Sequence, residues 1–188
     1  MIIAEQDYLV KGVSYSIRSA ARGDAAELSD LRVMIDGETE YLDREAGEAF
    51  LDQTAFEQII RTDTESPRNL FLVAVAHDRI VGFSRCEGSS LKRLSHKVEF
   101  GICIIREAWG YGIGKNLMKE SITWADSSGI KKIALHVLAT NHKAIELYKH
   151  FGFEVEGRLR NDKFLSDGNY YDTIVMGRIQ GGVHDEHS

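Results

Sequence analysis

Three glycines stand at alternate positions in Gly110-Tyr111-Gly112-Ile113-Gly114, directly after an apolar run and directly before Lys115. Glycines so spaced leave backbone N–H groups uncovered. At a helix start those amides and the helix dipole favour an anion, a diphosphate above all, and Lys115 adds positive charge at the rim. Spacing excludes two other phosphate loops. A Walker loop needs Gly where Trp109 stands and Ser or Thr where Asn116 stands; a dinucleotide fingerprint begun at Gly110 or Gly112 needs Gly where Lys115 or Leu117 stands. Taken alone, the string reads equally as a tight strand-to-helix turn. Glu99 lies in the apolar run upstream, and a carboxylate in a buried strand requires a partner, such as Lys97 or a surface arginine, or a catalytic task. Tyr148 shares a helical face with Ala144, Ile145 and Phe151; its phenol is either a core side chain with a satisfied hydroxyl or a proton donor. Cys103 reads as an inert thiol, because no neighbouring base is supplied to it.

The elements that must position these groups follow from periodicity. Val98 to Ile105 is a strand whose alternation puts Val98, Phe100, Ile102 and Ile104 on one face and Glu99, Gly101, Cys103 and Ile105 on the other. The glycine loop then opens a helix marked by Leu117, Met118, Ser121, Ile122 and Ala125 and ending near Gly129. Ile133 to Leu138 is a strand, and Asn141 to Phe151 a short helix, with Asn141 as a simple N-cap and Gly152 as its left-handed stop. Phe153 to Leu159 and Tyr170 to Met176 read as two closing strands. Upstream, Val13 to Ile17 reads as a strand, and a helix opens at Asp24 with a D-x-x-E capping pattern to Glu27. A second helix starts at Thr54, and Leu70 to Ala76 with Ile80 to Arg85 form a hairpin about His77-Asp78-Arg79. The order β-α-α-β-β-β-α-β-α-β-β predicts an α/β (α+β) fold, a mixed and mostly antiparallel sheet flanked by helices.

With 188 residues, 43% hydrophobic and 28% charged, the chain suits one domain over residues 1–180, with 181–188 as a frayed tail. A net charge of -6, from 29 acidic and 23 basic residues, argues against a nucleic-acid-coating protein. The longest apolar run, Leu70 to Ala76, is too short for a membrane span, and the start of the chain has acids where a signal peptide carries Lys or Arg. Only two cysteines, Cys86 and Cys103, occur, without zinc-ligand spacing, so neither a disulfide framework nor a metal site is expected and the cytoplasm is the expected compartment. Six acids, Asp36, Glu38, Glu40, Asp43, Glu45 and Glu48, lie between or beside the first two helices. They could draw in a cationic amine or form a solvated connection. Arg93 and His96, before the glutamate strand, could line the same side or cap a loop.

The run from Glu99 to Met118 resembles the acetyl-coenzyme A segment of the GNAT superfamily of N-acyltransferases, and Asn141-His-Lys-Ala-Ile-Glu-Leu-Tyr-Lys-His-Phe-Gly-Phe153 resembles its second signature. The stretches Glu154 to Arg158 and Asp167 to Asp172 are similar to the branch with spermidine, ribosomal-protein and small-amine acetyltransferases. One position departs from the pattern: Trp109 stands where the family often has Gln or Arg. The resemblance implies an acetyl-CoA-dependent N-acetyltransferase that moves the acetyl group directly to a primary amine, without an acetyl-cysteine intermediate. It implies that Trp109, Gly110, Tyr111, Gly112, Ile113, Gly114 and Lys115 hold the diphosphate. Ile102, Cys103 and Ile104 would hold the pantetheine arm through their main chain, and Asn141 would contact the cofactor. Tyr148 becomes the general acid, and Glu99 the base, directly or through water. A small amine, a polyamine, an amino acid or a peptide N-terminus fits as acceptor, and the sequence leaves a homodimer open. The rival reading is a catalytically silent acyl-CoA-binding module.

Overall fold

A computed structural model of the chain describes residues 1–181. Its strands are β1 (Gln6–Val10), β2 (Val13–Ser19), β3 (Leu70–Ala76), β4 (Arg79–Gly88), β5 (Lys97–Ile104), β6 (Lys132–Leu138), β7 (Glu154–Phe164) and β8 (Tyr170–Ile179). Its helices are α1 (Ala25–Glu38), α2 (Gln53–Glu65), α3 (Ile113–Ser127) and α4 (His142–His150). The strands form one sheet in the order β1-β2-β3-β4-β5-β6-β8-β7, antiparallel except for the β5–β6 pair. This is the mixed, helix-flanked sheet expected from the pattern, with one strand more at its start.

Both faces of the sheet are covered, which is why β3 reads as an unbroken apolar run. Phe71, Phe83 and Arg85 share the face covered by α2: the Phe56 ring of α2 lies 6.5 Å from Phe71, and Asp63 of α2 receives Arg85. Ser84 lies on the other face, against Ser121 of α3 at 3.3 Å. The alternation read for β5 therefore has a spatial meaning. Glu99, Gly101 and Cys103 face the α1–α2 side; Ile102 and Ile104 face α3, where Ile104 would touch a Cβ added at Gly114 at 3.1 Å.

Three local expectations are corrected. Strand β1 was not legible because its outward face is exposed; it is held to β2 by the two-residue turn Lys11-Gly12, both with positive φ, as a tight hairpin demands. The D-x-x-E pair does not cap α1. A short 3-10 turn, Arg22–Asp24, precedes the helix, so Asp24 is already helical and its carboxylate turns back to the Ala21 N–H at 2.7 Å and to Arg18, while Glu27 accepts from the Ile80 N–H at 2.6 Å. Helix α2 starts at Gln53, one residue before Thr54, and is capped by Asp52, whose carboxylate accepts from the Ala55 N–H at 2.8 Å. The expected tail, apart from Gly181, lies outside the described residues.

Asp63 is the polar anchor between α2 and the sheet. Its carboxylate, 1% exposed, takes the Arg85 guanidinium at 2.5 and 3.0 Å and the Asn69 amide at 2.7 Å. Removing one partner of such a pair leaves a half-buried charge uncompensated. Asp63→Ala is expected to lower stability by about 3 kcal/mol in urea unfolding followed by circular dichroism.

Candidate active site

The parallel pairing of β5 with β6 covers only Lys97, Val98 and Glu99 against Lys132, Ile133 and Ala134. Beyond Glu99 the strands part, although β5 stays paired to β4 as far as Ile104 and β6 to β8 as far as Leu138. Backbone groups that would continue the ladder are thereby left for another partner. A cleft of about 1270 Å³ fills the opening. It runs from the glycine loop and the start of α4, past Ile102, Cys103 and Ile104, to the side covered by α1 and α2.

The glycine loop lines the cleft. Gly110 and Gly112 have φ of 87° and 77°, and Gly112 is the residue from which α3 starts. A side chain at Gly112 is strained by that conformation, and a Cβ at Gly114 would press on the Ile104 Cδ1 at 3.1 Å, so the positive φ makes glycine the fit at position 112 above all. The loop is braced from β2: the Tyr15 hydroxyl donates to the Tyr111 carbonyl at 3.3 Å and accepts from the Asn116 amide at 2.7 Å. Lys11, from the β1–β2 turn, donates to the Gly110 carbonyl at 2.8 Å, so a second cation joins Lys115 beside the loop. Only the hairpin missed in the sequence could have pointed to it.

Gly110, Gly112, Ile113, Gly114 and Lys115 all line the cleft, with Trp109; Tyr111 does not. The Trp109 indole donates to the Ile104 carbonyl at 2.9 Å and lies under the Arg106 guanidinium, so its ring closes the end of β5. Of the three β5 residues implied for main-chain contacts, Ile104 thus has its carbonyl engaged. Asn141 does act as N-cap of α4, accepting from the Ala144 N–H at 3.2 Å, and also lines the cleft with His142 and Lys143. Arg93 and His96 do not line it.

Tyr148 reaches the middle of the cleft from α4. Its ring is 8% exposed and packs against Phe153 at 5.9 Å, and among the described residues its hydroxyl makes no hydrogen bond. Burial pushes its phenol up to about 12, with Cys103 adding to the shift, so it stays protonated through the neutral range. Cys103 stands near both Tyr148 and Arg44; burial holds its thiol up at about 12, which keeps it from acting as a thiolate nucleophile near neutral pH.

Glu99 is not enclosed, contrary to expectation. Its side chain is 68% exposed, because β6 leaves it at this residue, and its partner is neither Lys97 nor an arginine. His136 of β6 places Nδ1 at 3.3 Å from Glu99 Oε1. Sequence reading missed His136, although a polar residue at an alternate position of an apolar strand was the available signal. A carboxylate and an imidazole at this distance can share a proton.

The acidic stretch is largely tied down. Asp36 is buried and holds Arg44 at 2.9 and 3.1 Å, Glu38 accepts from the Arg106 N–H at 2.7 Å, Glu40 accepts from the Ser166 N–H at 2.9 Å, and Asp43 pairs with Lys163. Glu48 accepts from the Glu45 N–H at 2.8 Å. Of the six acids, Asp36 and Asp43 are matched by cationic side chains, whereas Glu38, Glu40 and Glu48 are held by backbone N–H groups and keep their charge. Among the described residues no group of His, Cys, Asp and Glu could hold a metal ion, and no helix is long and apolar enough to cross a membrane.

Comparison with known proteins gives this geometry its context. The chain is 34% identical over 110 residues, 58% of its length and 67% of the relative's, to the L-amino acid N-acetyltransferase AaaT of Escherichia coli. It is 31% identical over 111 residues to a spermidine N(1)-acetyltransferase of Vibrio cholerae, spanning 58% of this chain but only 62% of that protein. Among solved structures, an acetyltransferase of the GNAT family from Streptococcus pneumoniae superposes with a TM-score of 0.84 at 28% identity, over 88% of this chain and 98% of that one. The family described as Acetyltransferase (GNAT) matches residues 35–153, from the end of α1 through Tyr148 to the residue before β7, and the chain belongs to that family.

Proposed function

We propose that the protein moves an acetyl group from acetyl-CoA to a primary amine by direct attack within a ternary complex. The observation that carries this reading is the parting of β5 and β6 beyond Glu99 beside a glycine loop whose first-turn amides open a helix. That opening can take an extended thioester arm against β5, with the diphosphate at Gly110–Lys115 and Lys11 and Lys115 flanking it. Asn141 lines the same opening. Residues 1–180 act in this reading as one catalytic domain, and two unpaired cysteines suit the reducing cytoplasm.

Each remaining need of the reaction has a residue. An alkyl amine is mostly protonated near neutrality, so its proton must leave before or during attack. Glu99, with His136 beside it, takes that proton directly or through water. As the C–N bond forms, the C–S bond breaks. The sulfur then takes a proton from Tyr148, whose buried hydroxyl is neutral and free to donate. A backbone N–H of β5 outside the ladder can hold the oxygen of the attacked carbonyl.

Tyr148→Phe is expected to lower kcat by about 100-fold or more in a thiol-release assay while leaving the Kd for coenzyme A within about two-fold. A silent acyl-CoA-binding module would show no turnover in either form. Gly112→Val should abolish coenzyme A uptake in calorimetry on protein that still unfolds cooperatively; undiminished uptake would remove the loop from the reading.

The phenol also gives a pH signature. Its folded value lies above the ordinary value near ~10, so the folded state keeps its proton where the unfolded state loses it. Its contribution to stability is full below about 10 and falls as pH rises to about 12. Ultraviolet titration of phenolate absorbance, wild type minus Tyr148→Phe, should show one tyrosine titrating near 12.

A further inference from the structure

The reading as an acetyltransferase leaves the acceptor open, and the following step rests on that reading. On the α1–α2 side of the cleft, most charges are matched. Lys163 pairs with Asp43, and Arg85 is shared by Asp63 and Glu87. Arg32 and Arg44 are different: both line the cleft, with side chains 11% and 28% exposed, and one carboxylate, Asp36, serves both. Arg44 gives Nε and one terminal nitrogen to Asp36 at 2.9 and 3.1 Å. Arg32 stands 3.9 Å from the same carboxylate and donates Nη1 to the Ala49 carbonyl at 2.8 Å. Among the described residues, Arg44 Nη1 and Arg32 Nη2 have no hydrogen-bond partner.

Two guanidiniums held by one buried carboxylate leave a surplus positive charge and unused donors in a half-dry site. Such an arrangement selects a carboxylate, because Arg offers a planar fork of N–H groups that matches its two oxygens. It disfavours a second ammonium. The same cleft holds Glu99 and His136, a polar pair that suits an amine. Leu42, Leu51, Phe56, Ile59, Phe71 and Phe83 add an apolar lining. Cys103, on the α1–α2 face of β5, lines the same cleft as Arg32, Arg44 and Tyr148, so the arginine pair and the proposed site of transfer share one space.

We propose that Arg32 and Arg44, held in place by Asp36, bind the carboxylate of the acceptor, which is an α-amino acid with an apolar or aromatic side chain. A polyamine brings the wrong charge to this end. A peptide N-terminus brings no carboxylate next to its amine.

The probes are L-phenylalanine, L-phenylalaninamide, phenethylamine and spermidine, titrated by calorimetry into the full chain with and without coenzyme A and offered with acetyl-CoA in a product-mass assay. Phenylalanine should bind at least about ten-fold tighter than phenethylamine, which has the same ring and amine without the carboxylate. Arg44→Gln should reduce the ratio of kcat/KM for phenylalanine over phenethylamine by about ten-fold, and Arg44→Lys should restore part of it. Arg32→Gln serves if the Arg44 variant does not fold, and the wild-type ligand series stands without either. Equal binding of phenylalanine and phenethylamine, tighter binding of spermidine, or no uptake of any of the four overturns the carboxylate site. Coenzyme A uptake without acetylated product, with the phenylalanine preference intact, overturns the transfer reaction and supports the carboxylate site.

Discussion

The site depends on a ladder that stops. Parallel strands normally continue side by side, because an unpaired backbone N–H or carbonyl away from water is costly. Here β5 and β6 share only three residue pairs and then separate, each still secured on its outer side, β5 by β4 and β6 by β8. The gap survives because those outer partners carry the strands without it. One consequence is the cleft itself; another is the exposure of Glu99, the last β5 residue in the shared ladder. A third is the reach of Tyr148, which enters the gap from a helix anchored by the Asn141 cap and the Phe153 ring.

Burial sets the chemistry on either side of that gap. Tyr148 is kept neutral by a dry environment, and the same environment makes Cys103 a spectator thiol. Charged residues around the acceptor side avoid an unmatched desolvation cost by pairing: Asp63 with Arg85, Asp43 with Lys163. Against that background the shortage of carboxylate at Arg32 and Arg44 is an exception, and exceptions of this kind gather where a ligand completes the balance.

Much of the fold was legible because it obeys simple periodicities. The β5 alternation, the hairpin about His77 and Asp78, and helices α3 and α4 stand nearly where spacing puts them. Strand β1 was not, since a peripheral strand with one open face carries a weak apolar signal, and its Lys11-Gly12 turn is informative only once a partner strand is suspected. In the site, Gly110, Gly112, Ile113, Gly114, Lys115, Asn141 and Tyr148 came from contiguous motifs and meet in one cleft. His136, Lys11, Arg32 and Arg44 come from four separate elements or loops and converge only through folding. The fastenings of the acidic stretch were illegible for the same reason: its partners Arg106, Lys163 and Ser166 are remote in the chain.

The segment joining α1 to α2 is fastened differently from everything around it. No strand runs through residues 39–52, and its fastenings are side-chain grips: Glu40 on the Ser166 amide, Asp43 on Lys163, Arg44 on Asp36. The glycine loop, by contrast, is braced by Tyr15 and Lys11 from another edge of the sheet. The two ends of the cleft are therefore held mainly by different elements, with the Glu38–Arg106 contact joining them. Under the proposed reading, a change in residues 39–52 alters what the α1–α2 side of the cleft accepts, while the Tyr15 and Lys11 braces of the glycine loop stay as they are.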